Sequence, residues 1–399
     1  MLKRWAFLYF YAILKVLSGY IEPLRYPFCN TKQFLFRSES FCVFNIVRKI
    51  NMKKKSYIEI IRSSETTLSS MSQISSDAIE SVLIRHYDKV GVSIVNSLED
   101  MELVILKNPD LVFMGMKFVP TNNELGRKDL DKNWLATHLD YNGINYTGSG
   151  QSAVTYELNK QDAKRRVMKK GIASSPFFVA IQGIEIMESD IKLEYPLFVK
   201  PTDRGGGLGV DDNSVVHNII ELRKKVKDIS DEHDSDSLIE EFLSGREFSV
   251  AIIKNRNDGS YSQMPLELIA ESNSRGLKLL GGNVKSENKE IVLKVEDPIL
   301  NDKLSDFAQK AFFALGARDY GRIDIRLDKN DEPMFLEANL LPSLIENYGN
   351  FPKACHLYKN MDHEDMILTL VNLGLSHKKS KLISPAVEIK INNKEVILV

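Results

Sequence analysis

Between Ser56 and Tyr146 short apolar runs alternate with amphipathic stretches. Residues 57–61, 90–95 and 111–114 are compact apolar runs of strand length, whereas 74–86 places apolar residues three and four apart, as a helix with one buried face requires. The spacing therefore predicts strand, helix, strand, strand. That alternation points to a parallel sheet covered by helices, a Rossmann-like layer over residues 52–150. A charged helix follows over 156–170, with Gly171 placed to stop it. Residues 195–201 then read as a buried strand that opens into a Gly-rich loop at 202–209.

Further along, 237–242 and 247–254 read as strands around Ser244 and Gly245, and 300–315 as a helix. Residues 321–327 and 333–339 alternate apolar and polar positions on either side of a polar turn at 328–332, the pattern of a β-hairpin. A second hairpin is predicted within 387–399, around Asn392 and Asn393. No internal repeat or low-complexity tract interrupts this order.

Composition narrows the picture. With 399 residues, 43% of them hydrophobic, the chain can bury a core in two or three domains. Lys and Arg total 53 against 54 Asp and Glu, so net charge gives no case for a nucleic-acid partner. The three cysteines have no paired spacing that suggests zinc or a disulfide framework, which fits a reducing, cytoplasmic compartment. An apolar aromatic run at 5–14, behind Lys3 and Arg4, has the outline of a signal segment. Lys15 interrupts it, and it is too short to span a bilayer comfortably. Residues 1–51 are thus set apart as an N-terminal extension, with three readings open: an upstream extension with initiation at Met52, a removable targeting segment, or a membrane tether. No stable membrane span is expected. The 52–150 layer lacks a Gly-rich dinucleotide fingerprint, which argues against a nicotinamide cofactor.

The predicted hairpin carries the chemistry. Side chains alternate along a strand, so Arg322 and Asp324 on one arm can face the same side as Glu337 and Asn339 on the other. Oxygen ligands of this kind suit magnesium held jointly with substrate phosphates. The arginine would offset charge on a transferring phosphoryl group. Lys200 stands just before Gly205, Gly206 and Gly207, where backbone amides can turn toward phosphate oxygens without Cβ obstruction. No Gly-Lys-Ser/Thr follows, so this is not a Walker A loop. Around Glu240, Glu241, Phe242 and Leu243 a strand end could present backbone groups to adenine, with Glu247 accepting from ribose hydroxyls.

In this order and spacing, Tyr146-Thr147-Gly148-Ser149-Gly150, Val199-Lys200-Pro201, residues 238–247, Gly321-Arg322-Ile323-Asp324 and Leu336-Glu337-Ala338-Asn339 resemble the ATP-grasp superfamily. The D-alanine–D-alanine ligases are the nearer likeness, over roughly residues 57–373 and most strongly from Tyr146 onward. The resemblance implies an α/β fold: a Rossmann-like N-terminal domain (52–150), an ATP-grasp small lobe (151–243) and a large lobe with the metal site (244–377), before the terminal hairpin segment (378–399). It further implies ATP and two Mg2+ ions, with Mn2+ an alternative, and a peptide or amide bond formed through an acyl-phosphate from small carboxylate and amine substrates, amino acids in the family. A homodimer is also within the family's habit. Residue by residue, Lys160 and Lys200 look like the phosphate lysines, residues 240–243 and Leu336 like the adenine site, and Glu247 like the ribose ligand. Asp324, Glu337 and Asn339 look like the metal ligands, and Arg322 like the catalytic arginine.

The amino-acid half of the pattern is altered. Ser70 stands where the family's N-terminal glutamate belongs, with Glu65 the nearby carboxylate, and Phe113-Met114-Gly115-Met116-Lys117 replaces its His-Gly step. Beyond Asn339, Ser343, Glu346 and Tyr348 are the candidate substrate residues; Glu346 either binds an ammonium or caps a helix starting near Ser343. Residues 271–288, rich in Gly, Ser, Asn and Lys, are the candidate lid, with Arg275, Lys278 or Lys285 as the group that meets the γ-phosphate. Four readings follow: a divergent ligase, an authentic D-alanine–D-alanine ligase, an ATP-binding scaffold without chemistry, and a small-molecule kinase.

Overall fold

The structure is a computed structural model that describes residues 53–377, apart from 123, 127, 128, 130, 274 and 283–288. The chain divides into two units at Met52/Lys53, and the fold below belongs to the second. The N-terminal extension, the hairpin expected at 387–399 and Lys285 lie outside the described residues.

The first layer runs β1 (Lys54–Arg62), α1 (Gln73–His86), β2 (Tyr87–Ile94), α2 (Leu98–Leu106), β3 (Leu111–Met114), a short β4/β5 pair (Phe118–Pro120 and Lys132–Trp134), α3 (Leu135–Asn142) and β6 (Asn145–Tyr146). Its sheet has the order β2-β1-β3-β6, with every pairing parallel, as the alternation predicted. One element was absent from the sequence expectation. Helix α2 fills the gap read as a connection between two strands, and its signal was readable: Ser97 and Asp100 form a reciprocal capping box.

Helices α4 (Gln151–Leu158) and α5 (Lys160–Lys169) pack on the core of the large sheet through Ala153, Val154, Ala163 and Val167, and a small lobe follows with β7 (Phe177–Ala180), β8 (Leu197–Pro201), β9 (Val215–Val216), α6 (Ile219–His233) and β10 (Ser237–Glu241), its antiparallel sheet of order β7-β10-β8-β9. The single charged helix expected over 156–170 is instead two. Asn159 leaves the helical region (φ −129°, ψ 91°) and its side chain accepts from the Asp162 N–H, capping α5. Gly171 ends α5 with φ 77°, as expected.

The large lobe contains β11 (Glu247–Lys254), β12 (Tyr261–Ile269), β13 (Ile291–Lys294), α7 (Pro298–Ala314), β14 (Tyr320–Leu327), β15 (Pro333–Asn339), α8 (Asn350–Lys359) and α9 (His363–Leu375). Its antiparallel sheet runs β13-β12-β11-β14-β15. One face buries Phe248, Val250, Ile323, Ile325 and Phe335 against Leu304, Ala308 and Phe312 of α7. The other face shares a core with the first layer: Ala251, Ile253 and Tyr320 belong to the same cluster as Ile58 and Ile60 of β1. The large sheet is therefore anchored on both sides, and its β14–β15 hairpin rests on a rigid support. No helix among the described residues is long and apolar enough to cross a membrane.

Ile323 is fully buried between the hairpin and α7. Ile323→Ala should lower unfolding free energy by about 2–5 kcal/mol through the cavity it leaves. Urea denaturation followed by fluorescence measures this, and a loss under about 1 kcal/mol would show that the support is not close-packed.

Candidate active site

Period two and hairpin register together build the site. In β14, Tyr320, Arg322, Asp324 and Arg326 share the face opposite Ile323 and Ile325. Across the ladder, Arg322 pairs with Asn339 and Asp324 with Glu337 on β15; on β11, Ser249 is opposite Asp324 and Glu247 opposite Arg326. The buried Asp324 carboxylate accepts from Ser249 Oγ at 2.6 Å, from Arg322 Nε and Nη2 at 3.2 and 3.0 Å, and from Asn339 Nδ2 at 3.0 Å. The Arg322 guanidinium is held charged: burial works against it, and the Asp324 carboxylate more than compensates.

Charge also converges from α5 and the small lobe. Lys160, the first residue of α5, brings Nζ within 3.5 Å of Glu337 Oε2 and donates to the Arg204 carbonyl. Lys200 reaches Glu240 Oε1 at 2.8 Å, while Lys164, one turn along α5 from Lys160, reaches Glu240 Oε2 at 2.7 Å. Lys164 also donates to Ser174 Oγ at 2.8 Å and Ser175 Oγ at 3.0 Å. Burial alone would raise the Glu240 carboxyl, but the two ammonium groups hold it down at about 2. The Glu240 side chain, expected at the adenine site, is thus the shared counter-ion of the two lysines. The backbone N–H groups of Glu241 and Phe242 are also spent, on the carbonyls of Pro176 and Pro196.

Between the lobes lies a cleft enclosing ≈ 760 Å³, open solvent included, lined by Lys160, Lys200, Glu240, Glu241, Phe242, Leu243, Glu247, Leu336, Asp324 and Glu337 among the expected residues. Of the three loop glycines Gly207 lines it; Gly205 and Gly206 do not. Gly207 (φ 78°) packs backbone against backbone, since a Cβ there would sit 2.8 Å from Gly281 C and Gly282 N. The loop and the candidate lid are thus in contact, and Leu279 and Leu280 of the lid reach the cavity.

Several expectations are corrected by position. Arg275 donates to the carbonyls of Asp212 and Val215, both at 3.2 Å, rather than entering the cavity. Lys278 is exposed and does not line the cavity; its carbonyl accepts from Arg326 Nη2 at 3.1 Å. Glu346 lines a separate cavity with His356, Asp362 and His363, and Tyr348 is exposed. The helix expected near Ser343 begins at Asn350, so Glu346 does not cap it, and Ser343 does not line the main cavity. Sequence reasoning missed Lys164, although its i+4 spacing from Lys160 puts both on one helix face. It also missed Arg326, which continues the parity of Arg322 and Asp324 and pairs with Glu247 at 3.1 Å.

Two lobes gripping a charged cavity, with a carboxylate-rich hairpin on the large lobe, define an ATP-grasp enzyme. The family described as "D-ala D-ala ligase C-terminus" matches residues 168–372, and the chain belongs to it. Among curated relatives, the D-alanine–D-alanine ligase of Lacticaseibacillus casei (strain BL23) is 27% identical over 274 residues, 68% of this chain and 69% of that protein. That of Hydrogenovibrio crunogenus is 26% identical over 238 residues, 59% of this chain and 72% of that protein. In architecture the chain is similar to the Bacillus anthracis D-alanine–D-alanine ligase solved in complex with ATP (TM-score 0.62, 19% identity, 80% of this chain and 97% of that one). The protein is an ATP-dependent ligase of the C–N bond-forming kind.

Removing the shared counter-ion tests the lysine pair. A depressed carboxyl pKa contributes stability that is present above its unfolded value near 4.5 and lost as pH falls toward 2. Glu240→Gln should cost about 3–5 kcal/mol at pH 7, because two buried ammonium groups lose their partner. It should also flatten the pH dependence of stability between those values. Denaturation at pH 7 and pH 3 measures both, and a variant as acid-labile as the parent would contradict the assignment.

Proposed function

We propose that the chain activates a carboxylic acid as an acyl-phosphate with ATP and transfers the acyl group to an amine. The observation that carries this reading is the common face of the β14–β15 hairpin, where Arg322, Asp324, Glu337 and Asn339 stand together. Nucleotide would lie in the cleft between the lobes, its base against Phe242, Leu243 and Leu336, its ribose toward Glu247 and its phosphates toward Lys160 and Lys200.

The donor set fits a divalent ion. Asn339 spends its amide N–H on Asp324, leaving its carbonyl oxygen to join the oxygens of Asp324 and Glu337. Among the described residues no three or more His, Cys, Asp and Glu side chains are placed to hold a metal ion by themselves. An ion held by two carboxylates and an amide therefore needs phosphate oxygens to complete its shell, as magnesium does. Asp324, Glu337 and Asn339 would hold such an ion, which would supply positive charge against the phosphate oxygens.

The protein's own residues account for the remaining steps. A carboxylate oxygen of the acid attacks the γ-phosphorus in line, and ADP leaves, its charge opposed by Lys160 and Lys200. Attack of the neutral amine on the acyl carbon builds an oxyanion against the Arg322 guanidinium, and collapse expels phosphate while the amine sheds its proton. Leu279 and Leu280 cover the cavity, which limits hydrolysis of the mixed anhydride. D-alanine as both acid and amine is the second reading, favoured by the relatives named as D-alanine–D-alanine ligases.

Phosphate release from ATP and magnesium, with D- and L-amino acids and related acids offered singly and in pairs, tests the proposal. Release should require an acid and an amine together and yield their amide; a stable phosphorylated product would point to a kinase instead. Glu337→Ala removes a metal ligand and no core volume. It should cut kcat by about 100-fold or more with stability changed by less than about 1 kcal/mol. Near-parental turnover would refute the metal role.

A further inference from the structure

Where the β14 face leaves the metal cluster, a single guanidinium joins three segments of the chain. Arg326 stands directly across the ladder from Glu247 on β11, and its side chain lines the cleft between the lobes. Nε donates to the Gly245 carbonyl, Nη1 to Glu247 Oε2 and Nη2 to the Lys278 carbonyl, each at 3.1 Å. The guanidinium carbon also lies 5.5 Å from the centroid of the Phe242 ring. Its acceptors thus belong to the turn before β11, to the first residue of β11 and to the loop between β12 and β13 that was read as a lid.

A guanidinium is planar, and its N–H groups point in fixed directions within that plane. Three acceptors bound through three different nitrogens are therefore held in one mutual arrangement. One of them is already fixed: the Gly245 N–H donates to the Leu327 carbonyl at 3.2 Å, and a Cβ at Gly245 would stand 2.4 Å from that oxygen. What the arginine adds is the placement of the other two, a carboxylate with free rotation of its own and a carbonyl in a loop. Just past Lys278, Leu279 and Leu280 line the cleft, and a Cβ at Gly281 would stand 2.6 Å from the Val210 carbonyl oxygen. The loop is accordingly a strap across the cleft, tied to the large sheet at Arg326 and packed on the Gly-rich loop at its other end.

We propose that Arg326 is a positioning residue that couples recognition of the nucleotide ribose to the strap. A ribose whose hydroxyls donate to Glu247 holds that carboxylate in the orientation Arg326 requires, and Arg326 so held keeps the Lys278 carbonyl in place. Coupling of this kind is reciprocal, so a fastened strap also tightens nucleotide binding. The proposal rests on the reading that places nucleotide in the cleft with its ribose toward Glu247. Its test therefore follows binding and the strap separately and requires no turnover.

Calorimetric titration of the full chain, in magnesium, with ADP and with 2′,3′-dideoxy-ADP reads the ribose contact. Trypsin cleavage after the exposed Lys278, located by mass spectrometry, reads the strap. The parent should bind ADP about ten-fold or more tightly than the dideoxy nucleotide, as hydrogen bonds to a charged group are worth. Saturating ADP should slow cleavage after Lys278 by about ten-fold or more, and saturating dideoxy-ADP should slow it less. Arg326→Met should bind the two nucleotides within about three-fold of each other and show no protection of Lys278 even when saturated with ADP. Arg326→Lys keeps the charge without the fork and should behave as the methionine variant does; full recovery by lysine would overturn the proposal, because charge alone would then suffice. A parent that does not distinguish the two nucleotides, or variants that still distinguish them or still protect Lys278, would overturn it and leave the ligase reading standing. A parent that binds neither nucleotide would overturn the placement of nucleotide in the cleft, and this proposal with it.

Discussion

The carboxylate of Asp324 is where the site's geometry is set. It sits in the floor of the cleft, almost fully buried, and takes hydrogen bonds from three strands at once: Ser249 on β11, Arg322 on its own strand and Asn339 on β15. Each donor is thereby fixed in a rotamer that serves a second purpose. Arg322 is aimed along the β14 face, Asn339 is left with its carbonyl oxygen to offer, and the strand register places Glu337 directly across. A buried carboxylate with fewer donors would be unfavourable, so the cluster forms as a whole or not at all. The hydrophobic face behind it, packed on α7, keeps these positions from drifting.

From that point the β14 face leads in two directions. Toward Arg326 lie Glu247 and the cleft between the lobes; toward Tyr320 the strand joins the core shared with the first layer. Three cationic side chains, Lys160, Lys164 and Lys200, approach the nucleotide end, yet Glu240 neutralises one charge of the Lys164 and Lys200 pair. The local field is therefore strong enough to attract phosphates without leaving the small lobe with unpaired buried ammonium groups. At the other end the ion pair of Lys117 and Glu157 ties the first layer to α4 and, through Leu340, to the end of β15.

Much of this was legible in the sequence because it depends on period two. The hairpin's alternation put Arg322, Asp324, Glu337 and Asn339 on one face before any coordinates, and the parallel first layer followed from its order of runs. What failed depended on contacts between segments distant in sequence. The ion pairing of Glu240 depends on lysines 76 and 40 positions upstream, Lys164 and Lys200, which its place in a strand end did not reveal. Arg275 and Glu346 were weighed by charge and proximity in sequence, whereas the fold turns one onto the β9 edge and the other into a separate cavity. Helix α2 and the break at Asn159 are signalled by their caps, Ser97 with Asp100 and Asn159 itself, and not by the apolar periodicity, which does not mark either boundary.

The central claim is that one oxygen of the acid substrate ends on phosphate, because an acyl-phosphate forms at Arg322 before the amine attacks. Isotope transfer tests it most directly: an acid labelled with oxygen-18 in its carboxylate is supplied with ATP, magnesium and an amine, and the released phosphate is analysed by mass spectrometry. The account predicts one labelled oxygen in each phosphate formed together with amide. Amide formed with unlabelled phosphate, or label retained in a stable phosphorylated acid, would contradict it.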